Sequence, residues 1–100
     1  SVPIGQLLTA YKGNEISADN LYKERWVSVT GGQVERIKKD ILDKPYVTVG
    51  TGKGLEIPVV QCFLTNPDRA ATLKTGERVT VRGRVDGLMM NVLLRECEVL

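Results

Sequence analysis

A small, mainly β barrel of five strands, preceded by a helical segment, is the fold class this sequence predicts. Three observations predict it. Apolar residues recur at helical spacing only at the beginning of the chain, and from Trp26 onward they alternate with period two. The first alternating run is interrupted by Gly31-Gly32, as a strand bent over a barrel corner requires. The break at Asn66-Pro67-Asp68 leaves three strands before a short helix and two after it.

The elements follow in order. Pro3 suits the first turn of a helix, because its missing N–H would have no partner there. Ile4, Leu7, Leu8 and Tyr11 then fall at i, i+3, i+4 and i+7 and make one apolar face. Gly13 and Asn14 supply a stop, and Ser17 is placed to cap a second short helix holding Ala18, Leu21 and Tyr22. Val27 and Val29 alternate with Ser28 and Thr30 in the first strand, which resumes after the glycines through Val34 and Ile37. The charged stretch Lys38-Lys39-Asp40 leads by way of Asp43-Lys44-Pro45 to a second strand, Tyr46 to Val49. Gly50-Thr51-Gly52-Lys53-Gly54 reads as a hairpin turn into a third strand from Leu55 to Leu64. One or two helical turns, Arg69 to Leu73, precede a fourth strand in which Val79, Val81, Gly83 and Val85 alternate with Thr80, Arg82 and Arg84. Asp86-Gly87 is a hairpin signal, and a fifth strand runs from Met89 or Met90 to the end, with Cys97 and Val99 on one face and Glu96 and Glu98 on the other. Three strands, a connecting helix and a closing hairpin is the OB-fold arrangement. The alternative is an open five-stranded sheet with the helix across it. The expected organisation is one domain, 1–100, with a helical extension at 1–24 and the barrel at 25–100.

Composition bounds the function. The chain has 100 residues, no histidine, two cysteines and a net charge of +2. Without histidine, the usual general base, proton switch and commonest metal ligand are missing. Cys62 and Cys97 form no metal-type pair, and no paired-carboxylate or nucleophile constellation stands out, so an enzyme is not expected. The glycine-rich segment at 50–54 leads into a strand rather than a helix, so it lacks the dipole that a phosphate-binding loop exploits. No small-molecule cofactor or metal is expected. A pI of 8.6 permits nucleic-acid binding without demanding it. No apolar run approaches the ~20 residues of a membrane span. No leader-like segment precedes Ser1, which says little about location.

Several stretches resemble the bacterial tRNA_anti-like OB-fold family. Leu8-x-x-Tyr11-x-x-Asn14-Glu15-x-x-Ala18-Asp19-x-x-Tyr22 is similar to the family's opening, and Val27-x-Val29-x-Gly31 to its first strand. Val60-x-Cys62-Phe63 departs from its spacing only in the adjacency of Phe63 to Cys62. Leu73-Lys74-x-Gly76-x-x-Val79-x-Val81-x-Gly83 resembles its fourth strand, and Leu94-x-x-Cys97-x-Val99 its last. The resemblance spans nearly the whole chain. It implies an OB-fold and nucleic-acid binding, brings no catalytic residues, and implies relatives that are exported or attached to the envelope, some as lipoproteins.

OB barrels bind mostly on the face of strands two and three, flanked by neighbouring loops. That surface would offer Tyr46 and Phe63 as stacking platforms, with Lys38, Lys39, Lys44 and Lys53 in nearby loops and Arg82 and Arg84 on strand four. Against this reading, Phe63 can equally belong to the core, Asp40, Asp43 and Glu56 dilute the positive charge, and the helical segment can cover the face. Tyr11, Tyr22 and Trp26 are expected to dock that segment. Tyr11, Asn14 and Asp19 read as caps and hydrogen-bond partners rather than a ligand site. Cys62 and Cys97 fall on neighbouring strands, and two readings stay open. One is a disulfide closing a loop of ~36 residues, worth roughly 4 kcal/mol and fitting an oxidising compartment; the other is two buried thiols. The expected function is a non-catalytic module for single-stranded nucleic acid. The alternative is an exported or envelope-attached domain whose partner is a protein or glycan, and a periplasmic or envelope location is slightly favoured over the cytoplasm.

Overall fold

The structure, a computed structural model, describes residues 1–100. It contains β1 (Val2–Pro3), α1 (Ile4–Gly13), α2 (Glu15–Tyr22), β2 (Trp26–Lys39), β3 (Pro45–Gly50), β4 (Val60–Leu64), a 3-10 helix (Pro67–Thr72), β5 (Arg78–Met89) and β6 (Asn91–Val99). The sheet order is β1-β2-β3-β4-β6-β5, and β5 pairs back onto β2. Five strands therefore close into a barrel of the OB type, with β4 and β6 parallel and the other barrel pairs antiparallel. A short additional strand, β1, runs parallel to β2 at Val29 and Thr30. It has no periodicity to read in sequence.

Closure depends on bulges in the long strand β2. Against β5 the register passes from Val29↔Val81 to Gly32↔Val79, so one extra residue is inserted at Gly31, whose φ is +76°. Against β3 it passes from Val34↔Val49 to Arg36↔Thr48, and the extra residue is Glu35. This second bulge explains why Val34 and Ile37, three apart, both lean on the core. Val29, Val34, Val47, Val49, Val60, Val81, Val85, Val92 and Leu94 fill the barrel with Cys62 and Cys97. Leu7, Leu8, Tyr11 and Ala18 join the same core and bring both helices against the barrel, where they pack mainly on β2 and β5. The Tyr11 hydroxyl donates to Asp19 Oδ1 at 2.8 Å and ties α1 to α2. Burial, with the neighbouring Asp19 charge, pushes the Tyr11 phenol well above its ordinary range.

Four local expectations need correction. Asn14, not Ser17, caps α2: its side chain accepts from the Ser17 amide, and the helix begins at Glu15. The third barrel strand starts at Val60, because Pro58 has no N–H to donate to a ladder, and Leu55 and Ile57 stand exposed in the preceding loop. Asp86-Gly87 does not turn the chain. Gly87, at φ +100°, supplies a bulge inside β5, where Val85↔Leu94 is followed by Gly87↔Leu93, and the hairpin turns at Met90. Trp26 does not enter the core with Tyr11 and Tyr22. Val27 and Val29 face inward, so strand parity sends Trp26 out, and its side chain is 54% exposed.

Candidate functional site

On the outer surface of the barrel, Tyr46 of β3 and Phe63 of β4 are directly opposite one another in the ladder. Their inward neighbours Val47 and Cys62 are fully buried, which fixes both rings on the outside by strand parity. The ring centroids are 5.8 Å apart and the planes are tilted by 46°. Both residues are half-buried. The helices α1 and α2 pack elsewhere, mainly on β2 and β5, while the 3-10 helix lies against β3 and β4.

Two cations flank the aromatic pair in the same cross-strand row. Lys38 is paired with Tyr46 from β2 and is exposed; it lies in the strand, not in a loop. On the other side the Arg95 guanidinium sits 4.1 Å from the centroid of Phe63, a cation–π contact, and its Nε donates to Asp86 Oδ2 at 3.1 Å. Strand alternation counted back from Cys97 would point Arg95 into the barrel. Glu96 overturns that count. It takes a left-handed conformation, φ +48°, as the extra residue of a bulge in β6, so Leu94 and Cys97 both face inward and Arg95 faces out. Arg95 is a member of this row that the sequence does not point to, because no pattern marks the bulge.

The remaining basic residues separate. Lys39 is exposed at the end of β2 and forms an ion pair with Asp43 at 3.3 Å. Lys44 lies exposed just before β3, close in sequence to Tyr46. Arg84 stands opposite Arg95 and is held by Glu24 at 3.2 Å. Arg82 is exposed, between Ser28 and Glu98 in the ladder. Lys53 is not part of the group: it lies beyond the far end of β3 and lines, with Lys12, a cleft of about 630 Å³ between α1 and the Thr51–Pro58 loop.

Behind this face, Cys62 and Cys97 are joined by a disulfide, with Cα atoms 5.4 Å apart. The bond links β4 and β6 directly beneath the Phe63–Arg95 contact and beside the Glu96 bulge. No group of three or more His, Cys, Asp or Glu side chains is placed to hold a metal ion. No helix is long and apolar enough to cross a membrane.

A second polar feature lies near the other end of β3. Glu35, pushed out by its bulge, and Glu56 converge over Gly50, where a Cβ would collide with both carboxylates. Glu56 accepts from the Thr51 amide and, at 2.8 Å, from the Thr51 hydroxyl. Glu35 Oε2 is buried without a partner. Burial, and then the charge of Glu56, raise the Glu35 pKa above its ordinary value, against a smaller opposing effect of Arg36.

Comparison with known proteins adds three findings. The family model described as tRNA_anti-like matches residues 1–98. A crystal structure of a protein named "putative nucleic acid-binding lipoprotein", from Klebsiella pneumoniae subsp. pneumoniae MGH 78578, superposes with a TM-score of 0.74 at 21% sequence identity. The match covers 100% of this chain and 91% of that one, and at this identity it shows the shared fold. No curated protein has a matching sequence.

Proposed function

The chain belongs to the tRNA_anti-like family, and from that premise we propose that it is a non-catalytic OB-fold module that binds single-stranded nucleic acid. The observation that carries the reading is the Tyr46–Phe63 pair on the β3–β4 face, flanked by Lys38 and Arg95. Bases stack on aromatic faces whatever their sequence, each worth roughly 1–3 kcal/mol, while the cations follow the backbone phosphates. The neighbour's name supports the same chemistry. An open face with two rings and two cations is suited to holding a flexible polyanion.

The cysteine pair supports a location in an oxidising compartment, since such bonds persist outside the cytosol. The lipoprotein name of the neighbour supports attachment to the envelope. We place the module outside the cytoplasm on these grounds.

The test is a titration of a fluorescent single-stranded oligonucleotide at low and high salt. Micromolar or tighter binding that weakens steeply with salt and falls about ten-fold or more in Tyr46→Ala is expected. No binding at low salt would refute the function and direct the search to envelope proteins and glycans.

A further inference from the structure

The aromatic and cationic row does not stop at β3 and β4. Arg95 is opposite Arg84 on β5, and Arg84 is opposite Trp26 on β2. Residues directly opposite in a ladder project to the same face. The outward series is therefore Lys38, Tyr46, Phe63, Arg95, Arg84, Trp26, one residue from each strand in turn. It begins and ends on β2, because that strand is paired on both sides of the closed barrel. Rings and cations alternate in blocks along it: a lysine, two aromatics, two arginines and an aromatic.

Trp26 has no part in the core and is 54% exposed on a strand whose inward face is complete without it. A large indole left in solvent beside an arginine is the chemistry of a second stacking platform. The two arginines between the platforms are held by Asp86 and Glu24 in partly exposed ion pairs. Such pairs are weak, so a polyanion can exchange with the carboxylates at little cost.

Resting on the function proposed above, we infer that the single strand runs across the strands of the barrel along this whole row, with Trp26 as a second stacking site beyond the β3–β4 face. Five inter-strand steps of ~4.8 Å give a path of roughly 24 Å. At the ~3.4 Å per nucleotide of a stacked strand this holds about seven nucleotides, and fewer if the strand is extended. That lies within the span one OB-fold covers, about 4–16 nucleotides. Three of those steps, roughly 14 Å, separate Phe63 from Trp26, so a trimer on the β3–β4 face leaves the indole free.

Trp26 is the only tryptophan in the chain, which makes it its own reporter. The experiment titrates the full chain with oligothymidylates of three, five, seven and ten nucleotides at low salt, recording anisotropy of a labelled strand and indole fluorescence. The expected result is affinity that rises with length up to about seven nucleotides. The indole is quenched by the seven- and ten-mers but not by the trimer. Trp26→Ala then loses about ten-fold for the longer strands, is unchanged for the trimer, and Trp26→Phe recovers part of the loss. Binding that depends on Tyr46 with an unperturbed indole and a wild-type Trp26→Ala would overturn the extended track and leave the β3–β4 site standing. Failure of every oligonucleotide to bind would overturn both.

Discussion

The guanidinium of Arg95 lies 4.1 Å from the centre of the Phe63 ring, and the disulfide that ties β4 to β6 inside the barrel joins the residues next to Phe63 and two beyond Arg95, Cys62 and Cys97. The surface row and the covalent link of β4 to β6 are thus built on the same few residues. The bulge at Glu96 connects them: it lets Cys97 turn inward to the disulfide while Arg95 turns outward to the ring.

Arg95→Ala is expected to weaken binding of a single-stranded oligonucleotide by about ten-fold at low salt and to reduce the salt slope by about one phosphate contact. Stability should change by less than about 1 kcal/mol, because the cation–π contact and the Asp86 ion pair are both partly exposed. Urea unfolding measured alongside binding separates the two effects. A loss of binding matched by a large loss of stability would mean that Arg95 serves the fold and not the ligand.

Removing the disulfide by Cys62→Ala with Cys97→Ala is expected to lower unfolding free energy by about 4 kcal/mol, from the chain-entropy cost of closing the loop between residues 35 apart in sequence. That is a large fraction of the stability of a domain this size. Thiol titration of the unfolded, unreduced protein should find no free thiol, and two after reduction. Two free thiols before reduction would remove the argument for an oxidising compartment.

Gly83→Ala is expected to destabilise by about 1–3 kcal/mol. A Cβ there would lie 2.9 Å from the Arg95 carbonyl oxygen and 3.2 Å from the Cys97 Cα. Both obstacles are backbone of the β6 bulge, so no side chain can swing aside to make room. Chemical unfolding measures the loss, and a neutral substitution would mean that the bulge yields.

Stability should decline as pH rises from the ordinary carboxylate range toward neutrality, through Glu35. Its folded-state pKa is raised above 4.5 by burial and by Glu56. The folded protein therefore holds the proton more tightly than the unfolded chain. The contribution is fully present below the unfolded pKa and is lost as pH climbs through the folded one. Glu35→Gln should flatten that decline and raise the melting temperature at pH 7. A pH profile identical to wild type would show that the Glu35–Glu56 approach relaxes at no cost.

The fold was legible because its signals are local or periodic. Alternation from Trp26, the Gly31-Gly32 interruption and the Asn66-Pro67 break each act on backbone choice within a few residues, and together they point to a five-stranded barrel with an open sheet as the alternative; the pairing of β5 onto β2 closes it. The resemblance along Leu8 to Tyr22 and Leu73 to Gly83 is likewise a matter of residue types in the chain itself, and the family model matches residues 1–98. The site was only half legible. Tyr46, Phe63 and Lys38 could be named in sequence because simple parity places them on one face, and the ladder pairs Tyr46 with both of the others. Arg95 could not, because a single left-handed residue at Glu96 reverses the parity of everything before it on β6. Lys53 looked like a neighbour in sequence and lies past the opposite end of β3.

Side-chain type and period alone are enough for the mainly β class of fold, for the chain order of the five barrel strands and for the residues able to stack or carry charge. Which of those residues share a row, where the helices pack, and that Trp26 does not enter the core were decided only in the tertiary structure. The physical reason is register: bulges at Gly31, Glu35, Gly87 and Glu96 each shift one strand against its neighbour, and a shift of one residue exchanges the inner and outer faces of the barrel.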